Sequence, residues 1–413
     1  MKKKALLSVF LSLLLSSTLF VTFCSAVPTH ATTSWNIQTV YKSAYISNRF
    51  IAIDSINNPH IVYNYGNEDI QYLAYASWNG TGWNTQTISP WYYSLDFAID
   101  AQNNPHILCF SYVGYSKISG LTYASWNGSN WTLELVDDQP TYVGSLAFDS
   151  SDNPQIAYIT NINSEGSGTL KYANWTGSGW NTKIVDSDAR NLPLSLAIDS
   201  SDNAHIMYSH TLYNINYAVS NHAAWNERTV IVNATFGNMV LDSKGYPHYI
   251  YLSNPYELNN TLKYASWNGS AWNTQTIVSN IRLEGGSYLT LDALDYPHID
   301  YFNGTLMYTR WTGTTWDTQK VDDSSAGEAG AIAVDSYGNP YICYFGPRFS
   351  FKPFADLMYA TANEPTPTPT ATSAPLPTAP TPALWILLPF TVLTIAVVAA
   401  LAYLWKKKTQ SLS

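Results

Sequence analysis

WNIQTV at residues 35–40 reappears as WNTQTI at 83–88 and again at 272–277. The segment belongs to a repeat present in seven copies, and the seventh copy lacks it. After Ala362 the chain reads Asn363-Glu364-Pro365 and turns Pro/Thr-rich, so the piece that would complete the last copy lies at the opposite end, at Trp35. A repeat array whose first strand completes its last unit is a closed ring.

The repeat can be followed residue by residue. Its first anchor is Asp54, Asp100, Asp149, Asp199, Asp242, Asp292 and Asp335, at intervals of 43–50 residues, the period of four-stranded propeller blades. Five positions on stands a proline, Pro59 to Pro340, replaced by Ala204 in the fourth copy. The second anchor is Tyr75, Tyr123, Tyr172, Tyr217, Tyr264, Tyr308 and Tyr359. Three residues later comes Trp78, Trp126, Trp175, Trp267 or Trp311, with Ser220 and Ala362 in copies four and seven. Five further on comes Trp83, Trp131, Trp180, Trp225, Trp272 or Trp316, and Trp35 supplies the seventh.

Each copy reads as four strands. SLAID (195–199) alternates with period two and ends in DSSDN (199–203), whose side chains bond their own backbone. PHIVY (59–63) is a second strand, with proline at the first position where a strand accepts it. LKYASW (262–267) and WNTQTIV (272–278) form a hairpin across an Asn-Gly turn. Helical periodicity is absent from 35 to 363. The expected fold is all-β, a seven-bladed β-propeller over 35–363 whose N-terminal strand is the outermost strand of the last blade, leaving only short, protected edges.

The flanks predict location. Lys2-Lys3-Lys4 precedes an apolar run to Phe23, and small residues to Ala26 offer cleavage, so 1–26 reads as a signal peptide and 27–34 as a short linker. EPTPTPTATSAPLPTAPTPA (364–383), with seven prolines, reads as an extended stalk. Leu384 to Trp405 is apolar and long enough for one transmembrane helix, and Lys406-Lys407-Lys408 begin a cytoplasmic tail (406–413). These features predict a single-pass type I cell-membrane protein with an extracellular ring.

Charge and cysteine narrow the chemistry. Six of the 20 basic residues lie in the two terminal lysine runs, which leaves 14 against 29 acids. That balance disfavours nucleic acid as a partner. Cys109 and Cys343 fall in different blades and read as buried thiols, not a disulfide. Eight Asn-x-Ser/Thr sequons, several within the Asn-Gly turns, are glycan acceptors or turn residues. The histidines after the proline (His60, His106, His205, His248 and His298, with Gln155 and Tyr341 in the other blades) occupy equivalent places in separate blades. Metal ligands must converge on one ion, so no metal and no cofactor is expected; each His is expected to bond its own blade's Asp. The Trp pairs are expected to pack across their hairpin.

Copy-to-copy variation locates the candidate site. The turns between strands one and two and between three and four barely change, whereas the other two loop sets vary and share the opposite, top face. Candidate ligand-binding residues there are Tyr45, Arg49, Trp91, Tyr93, Tyr142, Arg190, Arg282, Glu284 and Arg348. Aromatics, arginines and carboxylates around a concavity suit a polar, partly planar ligand such as a carbohydrate.

Repeats reading Asp-x-x-x-Asn-Pro-His-Ile and then Tyr-Ala-x-Trp-Asn-Gly-x-x-Trp resemble those of secreted bacterial and archaeal β-propellers related to sialidase (BNR, or Asp-box) repeats. The Trp-x-Gly-x-x-Trp turn is similar to that of fungal fucose-specific lectins. The chain departs in having seven blades where those are usually six, and Asn or Thr before the turn glycine. The lectins' sugar-holding Arg and Glu pairs do not recur here. The resemblance implies a non-enzymatic surface module for glycans or protein partners. The alternative it implies is a sialidase-type glycoside hydrolase in which Arg49, Arg190 and Arg282 grip a carboxylate and Glu284 or Tyr142 stands near the reacting carbon. A structural part of a surface layer is a third reading.

Overall fold

The computed structural model describes residues 34–362 apart from 43–44, 68–69, 114–116, 222–223, 254–259, 282–285, 324–329 and 347–354. The expected signal peptide, stalk, membrane helix and tail lie outside the described residues, within which no helix is long and apolar enough to cross a membrane. Among the described residues 28 strands form seven four-stranded sheets. Blades 1 to 6 (46–90, 92–137, 141–190, 195–232, 234–281 and 288–322) each take four consecutive strands. Blade 7 runs Ala331–Val334, Pro340–Phe345, Leu357–Ala362 and then Trp35–Tyr41, antiparallel with Trp35 opposite Ala362 and Gln38 opposite Tyr359. The ring closes with the N-terminal strand, as the repeat count requires.

Strand position in the blade dictates strand composition. Second strands are covered on both faces, so PQIAYIT (154–160) and PHYIYLS (247–253) are buried at every residue and read as continuous apolar runs. Fourth strands form the outer rim and are mostly solvated, as in Trp180–Arg190. The core is divided into seven seams, one between each pair of neighbouring blades. At the closing seam Val40, Ile46 and Ile61 meet Cys343, Phe345 and Leu357. Both cysteines are free and buried; burial alone pushes the Cys109 thiol far up, and it pushes Cys343 up to about 12. Neither is a thiolate at neutral pH.

The two tryptophans of a hairpin pack against one another, with centroids 5.6 Å apart for Trp78 and Trp83 and 5.4 Å for Trp311 and Trp316. The second tryptophan also meets the anchor tyrosine of the preceding blade edge-on. Trp131 stands 5.6 Å from Tyr75, Trp316 stands 5.4 Å from Tyr264, and Trp83 stands 5.0 Å from Tyr359 across the closing seam. Trp35, 5.3 Å from Tyr308 at 78°, fills the same place for blade 7. Such contacts contribute beyond area burial.

The anchor Asp, His and Tyr form one unit. Asp54 Oδ1 accepts the N–H groups of Ile56 and Asn58, closing the turn, while its Oδ2 lies 3.2 Å from His60 Nε2. His60 Nδ1 takes a short hydrogen bond from the Tyr75 hydroxyl. The same arrangement joins Asp100, His106 and Tyr123, and Asp199, His205 and Tyr217, and Asp292, His298 and Tyr308. His248 is set further off, 3.6 Å from Asp242. Gln155 substitutes for the ring by donating to Asp149 at 2.8 Å and accepting from Tyr172. Tyr341 donates to Asp335. Burial lowers the pKa of His60, His106, His205 and His248, so these rings are neutral, and the first three donate from Nε2 to their aspartates. The Asp–His bond was legible in the sequence; its continuation to tyrosine was not.

Between blades, the fourth residue of five of the seven turns bonds its neighbour's turn, the other two having Gly245 and Gly338 there. Asn103, Asp152, Asp202, Asp295 and Asn57 hold positive φ of 59–66° and accept the N–H of Ser55, Ala101, Ser150, Ser243 and Ser336 respectively. Asn and Asp tolerate that conformation. The Ser336–Asn57 bond spans the closing seam. The paired carboxylates of DSSDN thus divide their work: one closes its own turn, the other clasps the previous blade. Asn79, Asn127 and Asn268 likewise accept N–H groups of their own turns.

Candidate ligand-binding face

First strands enter from the top face and run down the ring axis, so their opening residues line the mouth of the central channel. A cavity of about 380 Å³ lies there, walled by Asn48, Ser94 to Asp96, Tyr142 to Ser145, Pro193 to Ser195, Gly237, Asn238 and Gly286 to Tyr288, from blades 1 to 6. Its size falls in the range of small-ligand sites. Much of its polar lining also ties one blade to the next. Asp96 Oδ2 accepts the Leu146 N–H at 2.7 Å and the Ser145 hydroxyl at 2.8 Å. Ser145 Oγ accepts the Leu196 N–H, Ser195 Oγ the Met239 N–H, and Asn238 Oδ1 the Leu289 N–H. Burial raises Asp96 to about 6 against the pull of these bonds.

The expected site residues fall in three groups. Tyr142, 45% exposed, lines the channel mouth and tilts against Phe110, which stacks in turn on Tyr93 at 5.4 Å and 10°. Trp91 occupies the crossover from blade 1 to blade 2 at φ +68°, its N–H donating to Gln71 O at 2.8 Å. Tyr45 precedes the first strand of blade 1, its carbonyl accepting the Gly66 N–H. The second group is displaced from where loop reasoning set it. Arg49 lies within the strand Ile46–Ile53, its guanidinium 3.7 Å over the Phe345 ring across the closing seam. Its charge opposes the burial that raises fully buried Asp300 of blade 6 to about 7. Arg190 ends the fourth strand of blade 3 and donates to the Glu165 carbonyl. The third group, Arg282, Glu284 and Arg348, lies outside the described residues. Among the described residues no His/Cys/Asp/Glu cluster could hold a metal ion.

Sequence reasoning missed the channel wall itself. The polar residues Asn48, Asp96, Ser145, Ser195 and Asn238 sit in strands that were read for alternation alone. The recurrence of Asp96, Ser145, Ser195 and Asn238 four residues before the anchor aspartate was the available signal.

No protein-family model and no curated protein matches the chain. Among solved structures it is similar to AofleA from Arthrobotrys oligospora, with TM-score 0.50 and 13% identity over 72% of this chain and 91% of that one. It is similar to the Aleuria aurantia lectin, described as a six-bladed β-propeller with a fucose recognition mode, with TM-score 0.47 and 13% identity over 70% and 98%. It is also similar to the NanB sialidase of Streptococcus pneumoniae, with TM-score 0.46 and 11% identity over 79% and 70%. The likeness is one of fold alone: the chain is a seven-bladed β-propeller.

Proposed function

We propose that this chain is a surface-displayed, non-enzymatic binding module that recognises glycans through the top face of the ring, held off the membrane by the stalk and the helix expected at 384–405. The observation that carries the reading is the channel mouth. A cavity with hydroxyl, carboxamide and carboxylate walls opens beside an exposed tyrosine face at Tyr142, with Tyr93 and Trp91 in the adjoining blade. Sugars bind such a combination through their hydroxyls and their apolar C–H faces. Hydrolysis by a carboxylate pair needs a second carboxylate roughly 5–9.5 Å from the first. Among the described residues walling the cavity Asp96 is the sole carboxylate, and both its oxygens accept hydrogen bonds from the scaffold. Arg49 packs on Phe345 and Arg190 donates to the Glu165 carbonyl, in blades 1 and 3 with blade 2 between them.

Two variants test this. Tyr142→Ala should weaken glycan binding by roughly tenfold, as loss of a contact worth above ~1 kcal/mol does, with an unchanged melting temperature. Trp91→Gly should raise stability by about 1 kcal/mol, since a bulky residue at positive φ is strained, while reducing binding. Titration calorimetry against a bound glycan and thermal melts read both; undiminished affinity in both variants would remove the top face from the account.

A further inference from the structure

The repeat breaks three times at one seam. Blade 3 has Gln155 where five other blades have the histidine. It has Lys183 where blades 1, 5, 6 and 7 have Gln86, Gln275, Gln319 and Gln38. Blade 4 has Ser220 where five blades have the first tryptophan of the hairpin pair. The consequences converge. In intact blades the first indole packs against the second, as Trp267 does on Trp272 at 5.7 Å. With serine at 220 the Trp225 indole lacks that partner and lines a cavity among the described residues. The preceding blade's glutamine can accept an indole N–H, as Gln275 does from Trp316 at 2.8 Å. A lysine has no acceptor to offer in that place.

The space so opened is a cavity of about 350 Å³ on the bottom rim, on the opposite face from the channel mouth. Trp225, Tyr172, Asn174, Asn181, Lys183 and Ser220 wall it, with Asp149 and Asp202 at its edge. Tyr172 holds Trp225 edge-on at 5.2 Å, and Asn181 donates to Asn174 at 3.1 Å, so the wall is fixed. We propose that this seam is a second, peripheral binding site, for a single neutral pyranose residue. The C–H face of the sugar lies on the Trp225 indole in the place of the absent tryptophan, and its hydroxyls meet Asn174, Asn181 and the Lys183 ammonium. Indole and carboxamides suit a polyol with one apolar face. Two carboxylates against one ammonium disfavour an anionic sugar.

The site does not depend on the top-face reading, and its test separates the two. The full chain is titrated with methyl glycosides of glucose, galactose, mannose, fucose and N-acetylglucosamine, followed by tryptophan fluorescence and ligand-observed NMR, with methyl sialoside as the charged comparison. Ser220→Trp restores the residue of five other blades and should fill the cavity, weakening the neutral sugar at least tenfold while the melting temperature holds or rises. Lys183→Gln, which restores the usual residue without changing the packing, should weaken binding several-fold. Tyr142→Ala should leave this site untouched. The proposal is overturned if no neutral glycoside binds at tens of millimolar, if Ser220→Trp binds as the parent does, or if the sialoside binds tighter than every neutral sugar.

Discussion

Removal of residues 27–40 is expected to lower the stability of the ring by about 4 kcal/mol or more. The strand Trp35–Tyr41 pairs along the whole of Leu357–Ala362, and without it the third strand of blade 7 becomes a bare edge. Three losses then add. Val40 leaves the cluster that seals blades 7 and 1, Trp35 leaves Tyr308 of blade 6, and the backbone groups of 357–362 lose their partners. Truncating one packed tryptophan alone costs ~3–5 kcal/mol, a large fraction of the stability of an ordinary domain. Denaturant melts of the full chain with and without these residues measure the difference; equal midpoints would mean that the ring is not closed by its N-terminus.

Replacing His60 by alanine is expected to cost roughly 2–3 kcal/mol, because Asp54 and the Tyr75 hydroxyl each lose a partner in a buried place. Glutamine should restore nearly all of it, since Gln155 already joins Asp149 to Tyr172 in blade 3. His248→Ala should cost less than His60→Ala, its contact with Asp242 being longer at 3.6 Å. The pH dependence follows from the direction of the shift. Burial holds His60 below its usual pKa, so the unfolded chain takes up the proton first, near ~6.5. The contribution of the neutral ring is therefore full above that pH and is lost as pH falls below it. His60→Gln lacks this loss, and its stability relative to the parent should improve from pH 7 to pH 5, by at most ~1.4 kcal/mol per pH unit. Burial pushes Asp54 up, but hydrogen bonds from Asn58, His60 and Ile56 outweigh it and hold the carboxyl below the usual range. Its contribution is lost at lower pH still, below ~4. Melts of both proteins across this range decide it; a parent–variant difference independent of pH would show that the ring is not held neutral.

The fold was legible because a repeat states its own rules seven times. Asp54 and its six counterparts mark the turn, and Trp35 marks the closing strand by lacking any other blade to belong to. Contacts confined to one blade, such as Asp–His and Trp–Trp, followed from that spacing. Contacts between blades did not, because sequence distance conceals them: Trp131 meets Tyr75, Asp152 clasps Ala101 and Tyr158 donates to Asp137 of blade 2. The site was only half legible for the same reason. Variable loops drew attention to Tyr142 and Trp91, whereas Asp96 and Asn238 acquire meaning when six first strands are brought around one axis. Arg49 shows the reverse error of reading by loop. It stands inside the strand Ile46–Ile53, which turns its guanidinium onto Phe345 of another blade.

The central claim is that the top face binds glycans without cleaving them. Its most direct test is glycan-array binding by the chain, with hydrolysis of reporter sialosides assayed on the same preparation and Tyr142→Ala and Trp267→Ala run alongside. The account predicts glycan binding, no hydrolysis, roughly tenfold weaker top-face binding in Tyr142→Ala with an unchanged melt, and retained binding in Trp267→Ala despite destabilisation of its blade by a few kcal/mol. Turnover of the sialoside, or binding that survives Tyr142→Ala and vanishes in a folded Trp267→Ala, would contradict it.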